Sequence, residues 1–70
     1  MYSYIGKMKR NIDLTQIEEL LKVSISNQQK SIGRDGFPDA NPEFISILDY
    51  AYVEAEPDCY IVYASWNVQQ

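Results

Sequence analysis

Glu54, Glu56 and Asp58 stand at alternate positions and Cys59 follows directly, so the densest run of potentially reactive side chains lies between residues 54 and 59. Paired carboxylates do general acid and base work when a pocket pushes their two pKa values apart. Here the run contains Pro57 and reads as a tight break between elements, which supplies no pocket; the acids are expected at a solvated hairpin tip or helix end. Cys59 opens an apolar stretch with no cation beside it in sequence, a setting in which a thiol is not activated and acts as a small buried hydrophobe. Asp39, Asn41 and Glu43, with Asp35 nearby, alternate as oxygen ligands do in a calcium loop. That run lacks the glycine at the sixth position and the bidentate acid at the twelfth, and turn chemistry accounts for it. The chain has no histidine, which removes imidazole bases, Ser-His and Cys-His nucleophiles and nitrogen ligands for zinc. Gly6, Gly33 and Gly36 do not have the spacing of a phosphate-cradling loop. No catalytic, metal-binding or cofactor-binding residue is assigned, and the chain is expected to be no enzyme and to use no cofactor.

The chemistry that remains is recognition. Every lysine and arginine lies at or before Arg34, whereas Asp35, Asp39, Glu43, Asp49, Glu54, Glu56 and Asp58 follow without a basic residue among them. The same half holds Tyr50, Tyr52, Tyr60, Tyr63 and Trp66. Acids draw in a cationic surface, and aromatic rings supply contact area at low entropic cost. The expected partner-binding residues are Asp49, Tyr50, Tyr52, Glu54, Glu56, Asp58, Tyr60, Tyr63 and Trp66. The expected function is that of a small acidic protein-binding module, inhibitor-like or immunity-like, occupying a basic surface on a partner protein, such as one that binds nucleic acid. A second reading is a self-associating structural or regulatory subunit, a homodimer through an aromatic sheet face. A third is a weak nucleic-acid binder using Lys7, Lys9 and Arg10 with Tyr2 and Tyr4 as stacking platforms. The net charge of −4 disfavours the third, because a phosphate backbone is bound through cations.

These residues must be held by few elements. The segment 2–8 is short, contains β-formers and ends in the basic stretch Lys7 to Arg10, which predicts a first strand fraying into a solvated turn. Asp13 with Gln16 predicts a helix start by a capping box at Leu14, with Ile12 and Ile17 placed to close a hydrophobic staple. Leu14, Ile17, Leu21 and Ile25 recur at helical spacing, Gln28 and Ile32 continue the stripe, and Val23 falls opposite. Gly33 is placed to cap the end, and 33–42 is rich in turn formers and predicts a loop.

The segment after it reads two ways. Asn41, Pro42 and Glu43 resemble a helix start, after which Phe44, Ile47, Leu48, Ala51 and Ala55 share a face. Against that, Ile45, Ile47, Tyr50, Tyr52 and Val53 are mostly β-formers and lead through a polar break to Cys59–Trp66, the clearest strand of the chain. The preferred fold is therefore α+β: a strand, one amphipathic helix and a C-terminal β-hairpin, making a small antiparallel sheet with the helix on one face. The alternative is strand, helix, helix, strand. Either way Tyr60 and Tyr63 point to opposite faces of the last strand, which leaves one face for the helix and the other for a partner or a second copy.

Seventy residues suffice for a single small domain spanning 1–70, and at that size only about 60% of the unfolded chain's surface is buried on folding. One cysteine permits no internal disulfide and points to a reducing compartment, expected to be the cytoplasm. Residues 1–5 lack a basic region leading into an apolar one, and no apolar run approaches the roughly 20 residues that cross a bilayer, so neither a signal peptide nor a membrane span is expected.

Overall fold

The computed structural model describes residues 1–31 and 41–69. Strand β1 (Tyr2–Lys9) leads through a 3-10 turn at Leu14–Gln16 into helix α1 (Ile17–Ser31). A second 3-10 turn at Pro42–Phe44 precedes strand β2 (Ile45–Ala55), and β3 (Cys59–Val68) completes a hairpin with it. The sheet order is β1-β3-β2, with both outer strands antiparallel to β3. β1 and β2 therefore run parallel one strand apart, α1 crosses between them, and the hairpin returns β3 into the gap.

This is the α+β arrangement of strand, helix and C-terminal hairpin. The strand-helix-helix-strand alternative fails at Phe44. Asn41 has extended backbone angles but makes no side-chain capping bond, so the Asn-Pro-Glu signal yields one 3-10 turn, Pro42–Phe44. Ile45 onward is already extended, as its β-branched and aromatic composition favours.

Helix α1 starts where Asp13 marks it, with different wiring. Asp13 Oδ1 accepts from the Thr15 amide at 3.0 Å and from the Thr15 hydroxyl at 2.7 Å. Gln16 contributes its backbone N–H to the Asp13 carbonyl at 3.0 Å, not the side-chain arm of a capping box. The first turn is 3-10, so the α-helix proper begins at Ile17. The inward stripe is Ile17, Leu21 and Ile25, continued by Gln29 and not by Gln28, which is exposed. Each four-residue step turns the helix about 400°, and the row drifts enough that Ser26 is buried as well. Ile32, the Gly33 cap and the loop up to residue 40 lie outside the described residues.

The register divides the sheet into two faces, because residues paired across antiparallel strands project to the same side. Tyr4, Ala64 and Tyr50 form one row, then Gly6, Val62 and Tyr52, then Met8, Tyr60 and Glu54, and this side meets α1. Ser3, Ser65 and Asp49 lie on the other side, followed by Ile5, Tyr63 and Ala51, then Lys7, Ile61 and Val53, then Lys9, Cys59 and Ala55. A bulge between Ile47 and Asp49 resets the alternation of β2, so Ile47 faces the helix and Asp49 the open side.

Helix α1 crosses obliquely. Ile17 and Leu21 pack on Met8, Val62 and Ala64, and Ile12 and Leu14 pack against the same group, which places both residues of the expected staple in one cluster. One turn further, Ile25 packs on Ile45 and Trp66. Tyr4 and Ile47 touch both groups and join them. The Tyr4 ring lies back along its own strand over Gly6, where an added Cβ would stand 2.6 Å from Tyr4 Cζ, so the close approach requires glycine.

Two outcomes check this packing. Leu21 is fully buried, and Leu21→Ala is expected to cost about 2–5 kcal/mol, most of the stability of a domain this small. Val23 is 49% exposed, and Val23→Ala should stay within about 0.5 kcal/mol of wild type in denaturant unfolding. For Asp13, the Thr15 hydroxyl bond and then the Thr15 amide bond lower the carboxyl pKa below its ordinary 3.8. A lowered folded-state pKa makes the contribution fully present above 3.8 and lost as pH falls through the folded value. The melting difference between wild type and Thr15→Val, which removes the larger of the two bonds, should therefore be constant near neutrality and shrink in acid below that window.

Candidate protein-binding surface

The oblique path of α1 leaves one corner of its own side of the sheet uncovered. At the β2 end nearest the loop, Ile45 and Ile47 pack against the helix; after the bulge, Tyr50 and Tyr52 project to the same side but join neither core group. Tyr50 is 37% and Tyr52 41% exposed. Glu54 continues the row and is exposed. Tyr60, half-buried on the adjacent strand, meets Tyr52 edge to face with centroids 5.4 Å apart. The hairpin turn at 56–58, with a cis Glu56–Pro57 bond, adds exposed Glu56 and Asp58 at the tip.

Arg10 organises this corner. Its backbone N–H donates to the Asp58 carbonyl at 3.2 Å, Nε donates to the Cys59 carbonyl at 3.3 Å and Nη2 to the Ala55 carbonyl at 3.2 Å. The guanidinium also lies 3.5 Å from Glu54 and 3.9 Å from Asp58, and its Cζ stands 5.4 Å from the Tyr60 ring centroid. The ion pairs contribute little, because the Glu54 and Asp58 side chains are 72% and 81% exposed and water screens them. The bonds to main-chain carbonyls weigh more, since the Arg10 side chain is only 33% exposed and closes both ends of the turn. Arg10 is thus no solvated strand end, as the basic cluster suggested, and the acidic half does have a counter-ion, supplied from the residue that follows β1.

Of the nine expected partner-binding residues, the structure gathers Tyr50, Tyr52, Glu54, Glu56, Asp58 and Tyr60 at the hairpin arm. Asp49 and Tyr63 lie on the opposite face of the sheet. Trp66 is a correction: it is 1% exposed, stacked on Tyr2 at 4.6 Å and packed with Ile25 and Ile45, so it has no surface to offer a partner. Its alternation with Val62 and Ala64 along β3 was the readable signal, since period two puts all three on the helix side. The rings named for nucleic-acid stacking are similarly engaged: Tyr2 lies on Trp66 and Tyr4 in the core, on the face opposite Lys7 and Lys9. Cys59 is half-buried and its Sγ donates to the Ala55 and Glu56 carbonyls at 3.8 and 3.7 Å.

Asp35 and Asp39 of the calcium-like run lie outside the described residues. Among the described residues no group of three or more His, Cys, Asp or Glu side chains is arranged to hold a metal ion, and no helix is long and apolar enough to cross a membrane. Comparison with known proteins finds no matching family model, no matching curated protein and no matching solved structure.

The Arg10 geometry makes a graded prediction. Arg10→Gln should destabilise by about 1.5–3 kcal/mol, the range for charge-assisted hydrogen bonds. Glu54→Gln and Asp58→Asn should each cost about 1 kcal/mol or less. Equal losses in thermal melts of the three variants would show that the ion pairs, not the carbonyl bonds, hold the turn.

Proposed function

We propose that this protein is a small, non-enzymatic protein-binding module whose hairpin arm engages a basic surface on a partner protein, in the manner of an inhibitor or immunity protein. The observation that carries this reading is the uncovered corner of β2. Tyr50 and Tyr52 stand exposed where α1 does not reach, beside Glu54 and the acidic turn. Exposed tyrosines cost a small domain solubility unless contact uses them, and a ring flanked by acids is suited to a cationic surface. Arg10 offsets part of the negative charge and leaves Glu56 at the tip without an ion-pair partner among the described residues. Arg10 also holds the turn in one shape, which lowers the ordering cost on binding.

The division of labour follows from position. Glu54, Glu56 and Asp58 form the rim and steer approach, so they act on association rate and its salt dependence. Tyr52, packed edge-on against Tyr60, is the ring held most firmly and acts on dissociation. Capture from an extract of the native host, eluted with rising salt, would supply the partner for kinetic measurement. With it, the triple charge reversal E54K, E56K and D58K should slow association and flatten its salt dependence, while Tyr52→Ala should speed dissociation with the fold intact by circular dichroism. Unchanged rates in both variants would remove the hairpin arm as the binding surface.

A further inference from the structure

The other side of the sheet carries a different pattern. Apart from Lys7 its middle rows are apolar: Ile5 is 59%, Tyr63 46% and Val53 52% exposed, with Ala51 and Ile61 beside them. Among the described residues no element packs over these rows. A shallow depression of about 340 Å³ lies at one end, lined by Ser3, Ile5, Asp49, Ala51, Tyr63 and Ser65 together with Tyr4, Ala64 and Tyr50 of the row between them.

The charges on this face sit at diagonally opposed corners. Lys7 and Lys9 occupy the outer strand β1 at the hairpin end. Asp49 occupies the other outer strand, β2, at the far end, beside the depression. None of the three has an ion-pair partner among the described residues; Asp49 Oδ1 accepts only from the neighbouring Tyr50 amide, at 2.9 Å. Outer strands are separated by about 9.6 Å, and along the strands Asp49 lies roughly 13 Å from the row of Lys7 and roughly 20 Å from that of Lys9. A two-fold axis in the plane of contact, crossing β3 obliquely between Tyr63 and Ile61, exchanges the two corners and sets Ile5 near Ile5 and Val53 near Val53 of the other copy. The face is therefore complementary to its own copy, the requirement of an isologous interface.

We propose that a second copy of this chain packs face to face on the open side of the sheet, with Lys7 and Lys9 of each copy meeting Asp49 of the other across a core of Ile5, Val53, Ile61 and Tyr63. This interface stands apart from the hairpin arm. Tyr50, Tyr52 and Glu54 project to the opposite side of the sheet and stay free in the dimer, so the two readings fail or stand separately.

Sedimentation of the full chain up to millimolar concentration should show a mass rising to twice the monomer value, with association weakened by salt. The paired reversal K7E and K9E should weaken dimerisation on the order of tenfold or more, and Asp49→Lys should do the same, because each places like charges together at both corners. Mixing the two variants should restore a dimer, since the mixed pair has Glu against Lys at one corner and the native Lys against Asp at the other. If Asp49→Lys disturbs the fold by circular dichroism, Asp49→Asn carries the same prediction at smaller amplitude. A wild-type chain that stays monomeric throughout overturns the proposal. So does a dimer indifferent to both reversals, which would point to pairing through the β1 edge, or a mixture of the variants that does not associate.

Discussion

Burial of one side of β3 against α1 is the contact on which the rest of the molecule depends. Val62, Ala64 and Trp66 lie under Leu21 and Ile25, and β3 is the strand that hydrogen-bonds both of its neighbours. Without it β1 and β2 have no partner, since they are parallel and one strand apart. The central strand comes last in the chain, so the sheet cannot be completed until the hairpin forms and returns. The β1–β3 ladder joins Tyr2 to Trp66, the longest sequence separation in the fold, and contacts of that kind carry the largest loop-closure cost. The apolar burial at Leu21, Ile25 and Val62 must offset that cost, which is why the helix stripe and the β3 alternation are the two strictest patterns in the sequence.

What was legible followed from local periodicity. Ile17, Leu21 and Ile25 at four-residue spacing fixed the inward side of α1, and the β-rich run from Cys59 fixed the central strand. Two local signals were real but realised differently. Asn41, Pro42 and Glu43 do initiate a helical turn, yet Ile45 and Ile47 gain more by facing Ile25 and the core than by continuing it. Asp13 does cap, but through Thr15, whose amide and hydroxyl both donate to its carboxylate. Arg10 was not legible at all. Its contacts with Ala55 and Cys59 span 45 and 49 residues and exist only because the β1–β3 register brings Lys9 opposite Cys59. Charge read along the chain therefore overstated the acidity of the C-terminal half.

The candidate surface was legible in composition and not in placement. Counting aromatics identified a surplus, but a surplus does not say which rings are spent on the core. Trp66 and Tyr2 are spent on one another, Tyr4 on covering Gly6 and bridging the core groups, and Tyr60 partly on Arg10. Tyr50, Tyr52 and Tyr63 remain, and they divide between the two faces because the bulge at Leu48 and the strict alternation of β3 decide their sides independently.

The uncovered surface on both sides is a consequence of geometry at this chain length. A 15-residue helix spans about 22 Å, whereas the 11 residues of β2 span about 36 Å, so even aligned with the strands α1 would fall short of the hairpin tip. Lying obliquely, it reaches Met8 on one outer strand and Ile45 on the other and gives up the corner holding Tyr50, Tyr52 and Glu54. The opposite side has no second helix among the described residues, and its rows of Ile5, Tyr63 and Val53 are as apolar as a strand interior. A charge on the edge strand, as at Lys7 and Lys9, discourages indiscriminate edge pairing. A lone carboxylate at the opposite corner adds nothing to that protection; the proposed face-to-face pairing gives it a role, because the same face of another copy would set lysines against it.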